Sequence, residues 1–158
     1  MNALFSTATM TGTEFWRESK DGNPAGLALY RRHYSRHVYR DGRDPALFVG
    51  PGQKTVLLSH DDDALFVWRK FIDASGQQGI NCSVFRNESR HLSSAMILDA
   101  ETWAAERWPG ERLYTYVNPR RIRSANPGYC FKRAGWRACG WTRGRRPLTV
   151  LEKGGMTA

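Results

Sequence analysis

Between Ser93 and Trp108 the apolar residues Met96, Ile97, Ala100, Trp103 and Ala104 recur at the spacing of one helix face. Ser93 or Ser94 is placed to cap the helix, and Pro109-Gly110 stops it. On either side the period drops to two. Ile80, Cys82 and Val84 alternate with Asn81, Ser83 and Phe85, and Leu113, Thr115 and Val117 alternate with Tyr114 and Tyr116. A helix with one apolar face, set between two strands, packs on the sheet those strands build. The chain is therefore expected to be mixed α/β.

The rest of the chain extends this pattern. Asn126-Pro127 reads as the opening of a short helix that Gly135 closes. "RACGWT" and "LTVLEK" read as strands joined by the turn "RGRRP", and "GGMTA" as a fraying end. In the first half, residues 5–15 read as a strand, and Pro24 opens a helix from Ala25 to Ser35. Thr55–Leu58 and Leu65–Ile72 read as strands flanking the turn "HDDD". No repeat or linker divides the 158 residues, so one domain over 1–158 is expected.

Charge is the second constraint. From Arg120 to Arg146 there are nine basic residues and no acid: Arg120, Arg121, Arg123, Lys132, Arg133, Arg137, Arg143, Arg145 and Arg146. The other 15 of the 24 basic residues balance the 15 acids, so the excess of +9 sits in this stretch. Such a concentration points to a polyanion, either double-stranded DNA or an RNA such as tRNA. Eight of the nine are arginine, whose fork suits phosphate and base edges. Trp136 and Trp141 lie inside the stretch as candidates for stacking on a base. The three cysteines form no CxxC pair, which disfavours a zinc knuckle or disulfide framework. No signal peptide or membrane span is evident, and a cytoplasmic location without membrane attachment is expected.

Order and residues together resemble the acetyltransferase fold of the GNAT superfamily. Asn126, Phe131, Gly135 and Trp136 match its "N…(F/Y)xxxGW/F" pattern, and "NCSVFRNES" stands as the fourth strand. A closer resemblance is to the Mom DNA-modification proteins of phages. It rests on "HYSR" (His33–Arg36), "FRNES" (Phe85–Ser89), "TYVNP" (Thr115–Pro119) and "NPGYCFKRAGWR" (Asn126–Arg137). It implies conversion of adenine N6 in DNA to a carbamoylmethyl form, shielding the DNA from restriction. The rival readings are N-acyl transfer to a protein or small amine, and a non-catalytic DNA-binding or antirestriction protein on the same scaffold.

The resemblance also distributes roles. His33, Tyr34 and Ser35 border the acceptor, with His33 as a general base or metal ligand; the alternative is a solvated helix end. His37 lies four residues on from His33, the spacing of a two-histidine metal face, and no metal is specified. Glu88 is either a proton acceptor beside the donor or an ordinary strand-exit acid. Asn118 and Ser124 are expected in a polar pocket. Arg86, Arg90, Ser93, Ser94 and Asn126 are the donor-side candidates, and Arg86 and Asn87 are placed to read an adenine edge. A flipped base is expected between aromatics, Tyr34 with Tyr114 or Tyr116.

Two departures from the family pattern stand out. No glycine lies between Arg86 and Ser94, where the family carries a phosphate-cradling loop, so coenzyme A is expected to bind weakly. An aminoacyl-tRNA is the other acyl donor in view, beside acetyl-CoA. Phe131 stands where many GNAT enzymes carry a proton-donating tyrosine.

Overall fold

The computed structural model describes residues 13–72, 74, 76–121 and 126–155. In chain order the elements are β1 (Trp16–Ser19), α1 (Pro24–Arg31), β2 (Gln53–Ser59), β3 (Ala64–Lys70), β4 (Ile80–Asn87), α2 (Ser93–Arg107), β5 (Leu113–Val117), α3 (Tyr129–Arg133), β6 (Arg137–Trp141) and β7 (Thr149–Lys153). The strands form one sheet in the order β1-β2-β3-β4-β5-β7-β6. All neighbours are antiparallel except β4 and β5, which run parallel with α2 as their crossover.

Both faces of the sheet are covered. In β3, Ala64, Phe66 and Trp68 enter one core while Leu65 and Val67 enter the other. The first core lies under α2 and α3 and contains Met96, Ile97, Ala100, Phe131, Ala134 and Trp136. The second lies under α1 and contains Leu29, Tyr30, Phe48, Val56 and Leu58. The fully buried Met96 and Ile97 each contribute about 2 kcal/mol through apolar burial. Indole N–H groups fix the helix to the sheet: Trp16 donates to the Met96 carbonyl and Trp68 to the Ala100 carbonyl, both at 2.8 Å.

Several expected boundaries move. The first strand begins at Trp16, and residues 5–12 of the expected strand lie outside the described residues. The first helix ends at Arg31 rather than Ser35. The Arg32 and His33 amides bond back to Leu29 and Tyr30 only three residues away, tightening the helix into a turn. Neither serine caps α2: its N-cap is Leu92, with no side-chain cap bond. The short helix starts at Tyr129, not Asn126, because Gly128 sits before it with a left-handed φ of 79°. A Cβ on Gly128 would lie 2.7 Å from Leu151 Cδ1, so the close approach of α3 to β7 also requires glycine there.

The expected alternation in β4 breaks in the middle. Val67 pairs with Val84 and Trp68 with Cys82, leaving Ser83 as an extra residue in a β-bulge. Ile80 and Cys82 therefore face the α2 core, Val84 faces the α1 core, and Phe85 returns to the α2 side.

Candidate active site

The pairing of β4 with β5 ends at Cys82 and Thr115. The Thr115 hydroxyl donates to the Cys82 carbonyl at 2.9 Å and pins this last rung. Beyond it the strands part, and the gap opens a cleft of about 720 Å³ through the sheet. On the α3 side it is lined by apolar groups, among them Phe85, Val117, Phe131 and Leu148. On the α1 side it meets His33, Tyr34, Asn81, Ser83, Tyr116 and Asn118. Arg36 and Arg121 line it as well, and among the described residues no Asp or Glu does.

The turn after α1 carries His33, Tyr34 and Ser35 to this cleft. His33 is 8% exposed. The Ser35 backbone N–H donates to its Nδ1 at 3.1 Å, so Nδ1 is the unprotonated nitrogen. The Ser35 hydroxyl lies 2.7 Å from the same atom. Burial, then the nearby Arg86 cation, push the imidazole down to about 4, against a hydrogen bond to the Phe85 backbone. His33 is therefore neutral at pH 7, a hydrogen-bonded ring rather than a solvated helix end. Tyr34 stacks on it with centroids 4.6 Å apart. Burial raises the Tyr34 phenol, and a hydrogen bond from the Asn118 backbone partly opposes this.

Glu88 is held by two arginines. Arg32 binds it through Nε at 2.6 Å and Nη2 at 2.9 Å, and Arg86 through Nε at 2.6 Å. These bonds, Arg32 first, hold its carboxyl down at about 2. Glu88 lies outside the cleft lining and clamps the end of α1 to β4. Arg86 completes the clamp by donating to the Arg32 carbonyl at 2.8 Å, so it is committed to the scaffold rather than to a donor. Asn87 is likewise occupied: its amide donates to the His91 carbonyl and the Ser93 hydroxyl, both at 2.9 Å, and accepts from Ser89. It closes the loop before α2 and has no edge left for adenine.

That loop decides the fit of coenzyme A. A pyrophosphate cradle needs bare backbone amides at a helix start. Here every position from Arg86 to Ser94 carries a side chain, Asn87 bridges the loop, and Leu92 projects 69% exposed from the N-cap. These residues do not fit the pyrophosphate. Arg90 is exposed and away from the cleft lining, and the Ser93 hydroxyl accepts from the Asn87 amide.

Tyr116 lines the cleft, whereas Tyr114 is fully buried and is not available to hold a base. Trp136 is core, 3% exposed, with its N–H on Glu101 at 2.9 Å and its ring stacked on Trp68. Trp141 stays on the surface, 74% exposed on the outer strand β6. Asn126 lines the cleft and accepts from Lys132 Nζ at 2.8 Å. Ser124 and Arg123 lie outside the described residues. Among the described residues no group of three or more His, Cys, Asp or Glu is placed to hold a metal. His37 has left the helix and packs edge-on against Tyr39. "HDDD" is a hairpin turn in which Asp62 pairs with Arg17 and Asp63 accepts from Ser59.

Of the basic stretch, Arg121 lines the cleft. Arg120 Nη1 donates to the Pro147 carbonyl at 3.0 Å, bringing the loop after β5 against the turn that carries Arg143, Arg145 and Arg146. Arg121, Arg133 and these three are exposed. Arg137 is exposed as well and pairs with Glu152. Sequence reasoning passed over Asn81, Ser83, Arg36 and Tyr129, all in the lining. The strand pattern placed Asn81 and Ser83 on a common face, but no motif marked the cleft beside them.

A mixed seven-stranded sheet, parted where its one parallel pair separates and covered by helices on both faces, defines a GNAT-like fold. Among solved structures the chain is similar to Escherichia coli ElaA, with a TM-score of 0.53 over 87% of this chain and 98% of that one, at 11% identity. The likeness is one of fold. No protein-family model matches the chain. No curated protein matches it either. Among the described residues no helix is long and apolar enough to cross a membrane.

Proposed function

We propose that the chain is a group-transfer enzyme that modifies the exocyclic N6 of adenine in DNA. The observation that carries this reading is the charge of the cleft, which among the described residues has two arginines in its lining and no carboxylate. A lysine or polyamine acceptor arrives as an ammonium ion. Arg36 and Arg121 would repel it, with no carboxylate among the described lining residues to offset them. An aryl amine such as adenine N6 is neutral, and the phosphates beside it match the exposed arginines of the basic stretch.

A base inside a duplex has to leave the stack to enter a cleft that cuts through a sheet. Tyr34 and Tyr116 offer aromatic faces on the α1 side, and Trp141 and Tyr129 stand exposed for neighbouring bases. The amine, a poor nucleophile, bonds to the carbon of the transferred group as that carbon's bond to the donor breaks and the donor's leaving group takes the electron pair; the nitrogen then becomes a strong acid. A weak base then suffices. Ser35 and His33 supply a path, because the hydroxyl 2.7 Å from Nδ1 can take the proton and pass its own to the imidazole. The apolar α3 side of the cleft takes the transferred group, which the resemblance to Mom proteins gives as carbamoylmethyl.

The test is nucleoside mass spectrometry of DNA from cells expressing the protein, with His33→Ala and Tyr34→Phe alongside. A new adenine derivative, lost in both variants while circular dichroism and DNA affinity persist, is the expected result. Acylated protein with unchanged DNA would replace this reading with amine N-acylation. Tight DNA binding with neither product would replace it with a non-catalytic role.

A further inference from the structure

The wall of the cleft on the α1 side holds a pair of polar groups with nothing to bind. Asn81 Oδ1 and Ser83 Oγ are both buried and have no hydrogen-bond partner among the described residues. Buried polar groups in folded proteins are almost always paired, and an orphan calls for a physical reason. Here two occur two residues apart on one strand, and both residues line the cleft. Their position follows from local structure. Asn81 lies on the last paired stretch of β4 and β5, opposite Tyr114. Ser83 is the bulged residue, which a regular ladder would have paired with β3. The bulge therefore sets a hydroxyl free beside an amide, at the point where the strands separate.

The chemistry of the pair is specific. A carboxamide presents one acceptor and one donor side by side, and a hydroxyl adds a group that serves as either. Neither carries charge. Together with a neutral imidazole at His33, they form a recognition surface for a planar, neutral partner whose edge alternates N–H with a ring nitrogen. They offer no counter-ion to an ammonium.

We infer that Asn81 and Ser83 are the specificity-determining residues of the acceptor site, with the amide of Asn81 reading the amino edge of the flipped base. The inference rests on the adenine reading above and adds to it the residues that select the base. Asn87, the asparagine that the sequence singled out for this task, is closed off by its own loop, and Asn81 takes its place.

The experiment uses the full-length protein and three duplexes identical except at one unpaired position, which carries adenine, purine without the exocyclic amine, or an abasic sugar. The wild-type protein should bind the adenine duplex at least about tenfold more tightly than the purine duplex, the scale of a bidentate base contact. Asn81→Ala should bind both equally, with its affinity for the abasic duplex and its salt dependence unchanged. Ser83→Ala, a smaller change on the same wall, should reduce the preference severalfold and serves where Asn81→Ala does not fold. Retention of the full preference in either folded variant overturns the inference, as does a wild-type protein with no preference. The two readings fail separately. Modified adenine in cellular DNA without any binding preference removes the pair and leaves the proposed activity. A preference abolished by Asn81→Ala, with no modified nucleoside, keeps the pair as a base reader and removes the activity.

Discussion

Acidification should destabilise this protein before its carboxylates titrate, and the cause is one buried ring. In the unfolded chain His33 takes up a proton below its ordinary value of 6.5; in the folded chain it does so only near 4. Between those values the unfolded state holds more protons, so stability falls as pH falls. The loss begins near pH 6.5 and is complete near pH 4. At about 1.4 kcal/mol per pH unit, the integrated loss is about 3 kcal/mol, a large part of the stability of a small domain. Glu88 titrates near 2, below this window, so its two-arginine clamp persists throughout. The assay is urea unfolding of wild type and His33→Gln at pH 7, 5.5 and 4. The gap in unfolding free energy between the two should shrink by about 3 kcal/mol from the first pH to the last. A gap that stays constant, or an imidazole resonance titrating near 6.5, would refute the placement of His33 in a dry, cationic setting. The same burial predicts no activity inflection near 6.5 arising from this residue.

Three further outcomes are expected. Glu88→Gln should lower stability by less than about 1 kcal/mol, because the ion pairs it breaks are solvent-exposed, and should leave most of the activity; a loss of about 10²-fold or more in rate would make Glu88 a base after all. Replacing Arg120 and Arg121 with Ala should reduce the slope of log affinity for DNA against log salt by about 2, one phosphate each; an unchanged slope would take this loop out of the interface. Gly128→Ala should cost about 2 kcal/mol, from the left-handed backbone and the 2.7 Å approach to Leu151 Cδ1, seen as a melting temperature about 4–8 °C lower; an unchanged melting temperature would show that α3 can shift without penalty.

Much of the architecture was legible because burial leaves a period in the sequence. Met96, Ile97, Ala100, Trp103 and Ala104 gave the α2 face correctly, and all five are buried. The strands around them, and the closure of α3 by Gly135, followed from the same logic. Features that depend on pairing partners were not legible. Nothing in "INCSVF" announces that Ser83 will be bulged, since that is a matter of register with Val67 and Trp68. Function-like residues also misled. Glu88, Arg86 and Asn87 have the chemistry of a site, yet all three satisfy one another or their own loop. Trp136 lies among arginines in sequence but under α2 in space. Asn81 and Ser83 went unmarked because a polar residue on the outer face of a strand is ordinary until the neighbouring strand turns away.

The order of the last strands has a consequence for how the molecule is made. β7 lies between β5 and β6, so the later strand is the inner one. During synthesis the arginine-bearing segment and β6 leave the ribosome with no sheet edge to join. They wait until Thr149–Lys153 has been added, a few seconds at most at ordinary elongation rates. Only then do Leu151 and α3 close the wall of the cleft. A chain truncated in "RGRRP" would hold β1 to β5 with the crossover helix and expose Val117 and Phe131 without their cover. Its most basic segment would be free to meet any nearby RNA. The protein therefore gains its binding cleft last, and all at once, when one short strand slides into place between two others.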